Sequence, residues 1–277
     1  METPVKKQFY PTIRQSFRLI IRLALISIPI SIPFGIIGYL LKKYLEQKSE
    51  LIESSIYLVA YILPLLIIIR LGLKRFRSIN TSDYSLKFNK IPANILFISI
   101  VIALSATVII DPLVELIPMP ESFRDFMLKL AQPNIFSFLL IVIAAPILEE
   151  ILFRGIILEG FLKNYPPQKA IIWSAIIFGI VHMNPWQAIG ATFAGLIIGW
   201  IYYRTNSLIP GMLIHFTNNL IAFFILALSN NKAETFVEFV GGREIYLTMF
   251  GVSLIILFVG FKTLEKSLKN YWLTKLL

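Results

Sequence analysis

Residues 135–158 read IFSFLLIVIAAPILEEILFRGIIL, an almost continuously apolar run. A run of this length can cross the roughly 30 Å hydrocarbon core of a bilayer as one α-helix. It nevertheless contains Glu149, Glu150 and Arg154. Each ionisable group inside a membrane helix costs about 2.5–3.5 kcal/mol on insertion scales, so such groups indicate a functional site by default. The stretch therefore predicts a membrane-spanning helix that carries a buried polar site.

The composition of the whole chain extends this prediction. Of the 277 residues, 57% are hydrophobic and 15% are charged, and the mean hydropathy is +0.75. A soluble domain averages about 25% charged residues, so this chain lacks the charges for a polar shell. We predict an all-α fold, a polytopic transmembrane helical bundle of about eight spans that forms a single membrane domain over residues 1–277. The candidate spans lie near 17–41, 55–73, 91–110, 135–158, 168–183, 187–203, 207–228 and 245–264.

The positive charges are distributed as membrane orientation requires. The formal net charge is +10, but the Lys and Arg residues lie in short gaps between apolar runs, as at Lys74 and Arg75. We therefore expect the lipid bilayer, and no nucleic acid, as a partner. Segments on the same side as the termini carry about 15 Lys and Arg residues, against about 7 on the other side, which predicts that both termini are cytoplasmic. The chain has no cysteine, which excludes disulfides and a Cys nucleophile.

Helical geometry separates the two adjacent acids. Glu150 and Arg154 stand at positions i and i+4 with the acid first, the favoured order for an intrahelical ion pair. Such a pair could simply lock a helix bundle. Glu149 points about 100° away and has no partner on its own helix. It must therefore find a partner on another helix or take up a proton. A carboxyl group in that position is suited to act as a general base.

The two histidines of the chain both lie in predicted spans. His182 ends the run Phe178-Gly-Ile-Val-His182, and His215 lies one helical turn before Asn219. At 1.5 Å per residue, we estimate depths of roughly 14 Å for Glu149, 12 Å for His215 and 20 Å for His182. Taken singly, either histidine could be an ordinary hydrogen bond between helices. Taken together with Glu149, they predict one polar site near the middle of the membrane.

Other residues predict local structure. The loop at 111–133 is expected to contain a short amphipathic helix at the membrane interface. Pro146 and Pro210 are expected to kink their spans near the site and to free backbone carbonyls. The glycines of the second half are interpreted as positions of close helix packing: Gly179, Gly190, Gly195, Gly199 and Gly211.

Three motifs, in this order and spacing, resemble those of the CPBP family of intramembrane proteases. They are Glu149-Glu150-Ile-Leu-Phe153-Arg154, Phe178-Gly-Ile-Val-His182 and His215-Phe-Thr-Asn-Asn219. The stretch 193–208 between the last two is also similar to that family. The family includes type II CAAX prenyl endopeptidases and bacterial immunity-type proteins. The resemblance covers about 135–225, the expected catalytic core, whereas residues 1–110 carry no family signal and their role is undetermined.

The resemblance implies a role for each residue. It implies that Glu149 activates a water molecule, that His182 holds the same water, and that His215 and Asn219 stabilise the oxyanion. It also implies that two further residues support the site, namely Glu150 and Arg154. The glycine usual in the turn after this stretch is Asn206 here, which requires only a tolerated left-handed conformation.

The expected activity is intramembrane hydrolysis of a peptide bond in a membrane-associated peptide or protein substrate, with a CAAX-type lipidated substrate implied by the resemblance. Metal dependence stays open, because Glu149, His182 and His215 could form an open zinc site, although no H-E-x-x-H helix favours one. Two other interpretations compete with a protease. One is a non-catalytic immunity or scaffold protein. The other is a proton-coupled transporter, which would favour an internal repeat that the chain does not show. The resemblance also implies a bacterial cell membrane.

Overall fold

The computed structural model describes residues 8–44, 49–229 and 236–276, and these residues form helices joined by short turns, with no strand among them. This confirms the all-α class. Helices are the expected result, because a chain in lipid must satisfy every backbone polar group within its own segment. The helices are α1 (Ile13–Tyr44), α2 (Ser49–Ile79), α3 (Ala93–Glu115), α4 (Glu121–Leu130), α5 (Ile135–Asn164), α6 (Pro167–Ile180), α7 (Pro185–Thr205), α8 (Ile209–Ser229), α9 (Phe236–Phe239) and α10 (Arg243–Leu276).

Six of these helices are long and apolar enough to cross a membrane, namely α1, α2, α3, α5, α8 and α10. The two other predicted spans are α6 and α7. Helix α7 has 21 residues, whereas α6 has only 14, which is about 21 Å of helix and less than the hydrocarbon core. Helix α6 ends at Ile180, and Met183 adopts the left-handed conformation in the turn that follows. The predicted end of this span at 183 is therefore wrong, and His182 lies in the turn.

The segments that the charge count assigned to one side do lie together on one face of the bundle. Before α1, the amide of Tyr10 donates to Asn80 Oδ1 at the end of α2, at 2.7 Å. At the end of α10, Trp272 Nε1 donates to the Arg204 carbonyl at the end of α7, at 2.7 Å. We call this the terminal face. It gathers the segments predicted to be cytoplasmic.

The turn after α7 is fixed on the terminal face by its left-handed residue. Asn206 has φ 53° and ψ 38°, as the sequence predicted for this position. Lys87 Nζ donates to Asn206 Oδ1 and to Glu159 Oε1, both at 2.8 Å. Asn89 Nδ2 donates to the Asn206 carbonyl at 2.6 Å. The segment between α2 and α3 therefore joins the ends of α5 and α7.

The opposite face carries the amphipathic helix predicted within 111–133. This helix is α4, and the Phe123 ring packs on Trp186, the first turn of α7, with centroids 4.7 Å apart. Trp186 Nε1 also donates to the Ile117 carbonyl after α3, at 2.9 Å. The end of α3 and the start of α7 therefore lie at the same level.

Helix α2 runs parallel to α5 along most of its length. Ser54 Oγ accepts a hydrogen bond from Asn134 Nδ2 at 2.9 Å, near the start of both helices. Further along, Gly72 lies so close to Ile156 that a Cβ at Gly72 would be 3.1 Å from its Cδ1. The main buried cluster includes side chains of α2, α5, α6 and α7, and a second one includes residues of α3, α7, α8 and α10. The described residues among the first 110 are therefore part of the same bundle as the predicted core.

We expect the terminal face to be cytoplasmic, because the excess of Lys and Arg lies there. The chain has no native cysteine, so single cysteines give a clean readout. In intact cells, an impermeant maleimide should label Glu121→Cys on the opposite face and leave Ser82→Cys on the terminal face unlabelled. Both residues are exposed. Labelling of Ser82→Cys alone would reverse the orientation, and equal labelling of both would contradict the topology.

Candidate active site

Helix α5 departs from regular α geometry on both sides of the paired acids. Its segments Leu139–Ala144 and Ile151–Leu158 are π-helical, a feature common at functional sites. In the second segment the amide of Glu159 donates to the carbonyl five residues back, rather than to Gly155. The Gly155 carbonyl instead accepts the Tyr84 hydroxyl, and burial, then the nearby Glu159 carboxylate, raise the pKa of Tyr84. The hydroxyl therefore remains a donor at neutral pH.

The first π segment ties α8 to α5. The amide of Ala145 donates to Leu140, five residues back, and Pro146 has no N–H. The carbonyl of Ile141 is thereby left without these donors, and it accepts a hydrogen bond from Asn219 Nδ2 at 2.8 Å. The expectation that Pro146 frees a carbonyl near the site agrees with this geometry. One of the two amide protons of Asn219 is used in this contact.

The predicted intrahelical ion pair forms in the centre of the bundle. Arg154 Nη1 lies 2.7 Å from Glu150 Oε1, and the two side chains are 1% and 0% exposed. The guanidinium also donates to the Gly195 carbonyl at 3.3 Å and lies 4.6 Å above the Phe178 ring. A Cβ at Gly211 would lie 2.9 Å from Glu150 Oε2, so α8 can approach this acid only through a glycine. The pair on α5 is therefore enclosed by α6, α7 and α8.

Glu149 has different hydrogen-bond partners from Glu150, and its side chain is partly exposed. Its Oε1 accepts a hydrogen bond from the Tyr61 hydroxyl of α2. Its Oε2 is buried, has no hydrogen-bond partner within the described residues, and lies 3.9 Å from His215 Nε2. The Glu149 side chain is 14% exposed, whereas Glu150 is 0% exposed. Of the two adjacent acids, Glu149 alone can therefore be reached from outside the bundle.

His215 joins the two acids. Its Nδ1 lies 3.3 Å from Glu150 Oε1, and a carboxylate oxygen only accepts, so Nδ1 carries a proton. In neutral His215 the lone pair on Nε2 then points into the 3.9 Å gap to Glu149 Oε2. Two acceptors that face each other in this way need a donor between them.

His182 lies in the turn after α6 and packs against Phe178. Its Nδ1 lies 2.8 Å from the Phe178 carbonyl, so Nδ1 is the donor and Nε2 is free to accept. The Phe178 ring contacts both histidines edge-on, with centroid distances of 5.3 Å to His182 and 5.7 Å to His215. Both histidines therefore pack against one aromatic ring, and the convergence of His182 on Glu149 stays a prediction.

The zinc alternative was tested on the arrangement of its candidate ligands. Within residues 8–44, 49–229 and 236–276, no group of three or more His, Asp or Glu side chains is placed to hold a metal ion. The candidates were Glu149, His182 and His215. Each histidine engages only Nδ1, which leaves Nε2 available as a ligand, but the three side chains are not gathered around one point. The residues present do not fit a zinc site, so no step below passes through a metal.

Sequence reasoning missed Tyr61, the hydrogen-bond donor to Glu149. Its signal was a polar stripe on an apolar helix, because Ser54 and Tyr61 are seven residues apart and share one face of α2. Ser54 contacts Asn134 at the start of α5. The N-terminal part of the chain, whose role the sequence left undetermined, thus supplies a residue of the site.

Two other sequence expectations are corrected. Pro210 is the second residue of α8, where the missing N–H costs no helical hydrogen bond, so it does not kink the span. Gly190 is not a close-packing position, because a Cβ there would meet nothing within 4 Å. The other four glycines do pack closely against a neighbouring element, as expected: Gly179, Gly195, Gly199 and Gly211.

The different burial of the two acids yields a test of their roles. Glu150→Gln should lower the yield of folded protein, because it leaves the Arg154 charge buried and unpaired at a cost of about 3–5 kcal/mol. Glu149→Gln should keep a wild-type yield, because it removes a charge without changing the shape of the side chain. Gel filtration of detergent-purified protein measures both. Equal losses of yield would contradict this division.

The comparisons with known proteins agree with the motifs. Residues 131–221 match a protein-family model described as type II CAAX prenyl endopeptidase Rce1-like. This range contains all six site residues that the sequence indicated, and it excludes Tyr61. No curated protein and no solved structure shows significant similarity to the chain. Residues 131–221 are therefore recognised as a domain of the Rce1-like type, in agreement with the CPBP family that the three motifs indicated.

Proposed function

We propose that this chain is an intramembrane endopeptidase in which Glu149 activates water for peptide hydrolysis. The observation that carries the proposal is the gap between the buried Glu149 Oε2 and His215 Nε2, two atoms 3.9 Å apart. Glu149 Oε2 has no other partner in the described part of the chain. A buried carboxylate oxygen without a donor is costly, and here a reacting water can be that donor.

A single water molecule fits this gap. Hydrogen bonds of about 2.8 Å to both atoms close a triangle over the 3.9 Å base, with an angle of about 90° at the water oxygen. The water then donates one proton to each acceptor. Its oxygen lone pairs point away from both acceptors, toward the space where a scissile carbonyl must approach.

The net charge of this cluster depends on whether it carries one added proton. Glu149, Glu150 and Arg154 together carry one uncompensated negative charge when His215 is neutral. One added proton, on His215 Nε2 or Glu149 Oε2, makes the cluster neutral, and charge separation is costly at low dielectric. With the proton on His215, Nε2 becomes a donor for an oxyanion while Glu149 remains a base. The two acids therefore allow His215 to take the role that the family resemblance implies.

The chemical steps follow from these positions. Glu149 Oε2 takes a proton from the water as the oxygen attacks the scissile carbonyl carbon. With the added proton on His215 Nε2, the resulting oxyanion accepts a hydrogen bond from that nitrogen and from the second amide proton of Asn219. The C–N bond then breaks, and the proton on Glu149 passes to the leaving amine. With the added proton in place, His215 Nε2 donates to the water instead of accepting from it, so the second water proton is available to the free Nε2 of His182, which orients the water.

The substrate class follows from the family and from the location of the site. The matched family is one of CAAX prenyl endopeptidases. Glu149 lies on a helix suited to cross the membrane, with Tyr61 and His215 on two other such helices. We propose a membrane-anchored protein cleaved close to its lipidated cysteine, since the lipid would hold the adjacent peptide bond at the membrane.

The decisive variant is Glu149→Gln. We expect it to lose about 10²–10⁴-fold in the rate of cleavage of a lipid-anchored peptide in proteoliposomes, because the general base is removed. Glu244→Gln, an exposed acid of α10, is the matched control and should keep the wild-type rate. Full turnover by folded Glu149→Gln would contradict the role of Glu149 as general base, whereas an absence of cleavage by the folded wild-type protein would favour the non-catalytic immunity or scaffold interpretation.

Tyr61 is proposed as a positioning residue that acts through Glu149. Tyr61→Phe removes the hydroxyl that holds Glu149 Oε1, so kcat per folded molecule should fall about 10-fold with KM unchanged. Gel filtration measures the folded fraction, because a partial loss of folding would also lower the apparent kcat without changing KM. Tyr57→Phe, one turn earlier on α2, is the matched control. A rate equal to wild type in Tyr61→Phe would show that α2 does not contribute to catalysis through Tyr61.

A further inference from the structure

A second polar region lies between α3, α7 and α8, outside the site described above. It is a cavity of about 80 Å³. Three polar side chains line it, Thr107 and Asp111 of α3 and Asn218 of α8, together with Gly190 of α7. The rest of its wall is apolar. An ionisable residue in a membrane helix is expensive, so Asp111 at this cavity requires a reason.

The polar atoms that face this cavity lack donors. Asp111 Oδ2 and Asn218 Oδ1 are both buried and have no hydrogen-bond partner among the described residues. The Thr107 hydroxyl donates its proton to the Ala103 carbonyl at 3.1 Å, so it offers only lone pairs to the cavity. Three acceptors from two helices therefore require a ligand that donates hydrogen bonds.

Water meets this requirement in chemistry and in size. One water can donate to two acceptors, and a polar cavity needs only about 10–15 Å³ of this kind of volume for each water. The cavity is thus large enough for a few water molecules. Gly190 adds to the space, because a Cβ at this position would meet nothing within 4 Å. A larger residue at 190 would occupy the cavity.

The lining residues show how far the cavity extends along α3 and which helix it borders. Its lining on α3 extends from Ala103 to Val114, 11 positions or about 16 Å of helix. Val114 is close to the end of α3 that contacts the start of α7, on the face opposite to the terminal face. Asn218 lies on α8 between His215 and Asn219, which both belong to the site. The cavity therefore extends from near that face toward the helix that carries the catalytic histidine.

We propose that this cavity holds water and supplies it to the intramembrane site through Asp111 and Asn218. The part that concerns supply rests on the proposed hydrolytic function, since hydrolysis consumes one water per turnover at a site within the membrane. The part that concerns occupancy rests only on the cavity and its unpaired oxygens. The two parts are tested separately.

Occupancy is tested by thiol accessibility to the aqueous ion Ag⁺, in a chain without native cysteines. Ala106 lines the cavity, and Ser99 lies seven residues earlier on the same face of α3 but outside the cavity and fully buried. Because thiolates form in water, Ala106→Cys should react with Ag⁺ about 10-fold faster or more than Ser99→Cys. The remaining thiol is alkylated after denaturation and measured by mass spectrometry. Thr107→Cys replaces Ala106→Cys if that variant does not fold. Equal rates for the cavity and control positions would overturn the proposal.

Supply is tested by filling the cavity. Gly190→Leu should lower kcat about 10-fold with KM unchanged, because the site receives water more slowly. Gly190→Ala adds one atom in open space and should keep the wild-type rate. Gly251→Leu makes the same change at an exposed position of α10 and should also leave the rate unchanged.

If Glu149→Gln abolishes cleavage but Gly190→Leu does not slow it, the supply role fails and the protease proposal stands. If no variant and no wild-type protein cleaves peptide, the Ag⁺ result still decides whether the cavity is hydrated.

Discussion

The buried ion pair of Glu150 and Arg154 is the interaction on which the rest of the site depends. Removing two charges from water is costly and is offset by further contacts of the pair, although Glu150 Oε2 and Arg154 Nε have no hydrogen-bond partner among the described residues. Here those contacts come from different elements: the Gly195 carbonyl of α7, the Phe178 ring of α6 and His215 of α8. The pair therefore stabilises only one mutual arrangement of these helices. That arrangement also places His215 beside the neighbouring acid.

The π-helical segments of α5 connect this pair to the surrounding bundle. Each segment leaves a carbonyl without its usual helical donor, and each such carbonyl binds a side chain of another element. Ile141 accepts from Asn219 of α8, and Gly155 accepts from Tyr84 between α2 and α3. Because an unsatisfied carbonyl in a membrane costs several kcal/mol, these contacts are required for the irregular helix to persist. The irregular backbone and the site thus stabilise each other.

The adjacent acids have different environments because successive helical residues point about 100° apart. Glu150 points into the bundle and is sealed by Gly211 and its partners. Each acid has one oxygen without a hydrogen bond in the described structure, but Glu149 points toward α2 and its side chain is partly exposed. A structural acid and a reactive acid can therefore occupy neighbouring positions on one helix. Similarly, Asn218 and Asn219 face different surroundings, the first at the cavity beside α3 and the second at the Ile141 carbonyl.

The sequence by itself determined the helical class, the membrane setting and the pairing of Glu150 with Arg154, because hydropathy and the i, i+4 spacing are local properties of the chain. It also indicated which residues would converge, since charged and polar groups in apolar runs must meet one another. Only the tertiary structure decided that Tyr61 holds Glu149, that His182 lies in a turn, and that Gly190 borders a cavity rather than a packed interface. These features depend on which helix faces which, and at what depth. That geometry is set by side-chain packing between segments distant in the chain, and no local pattern in the sequence encodes it.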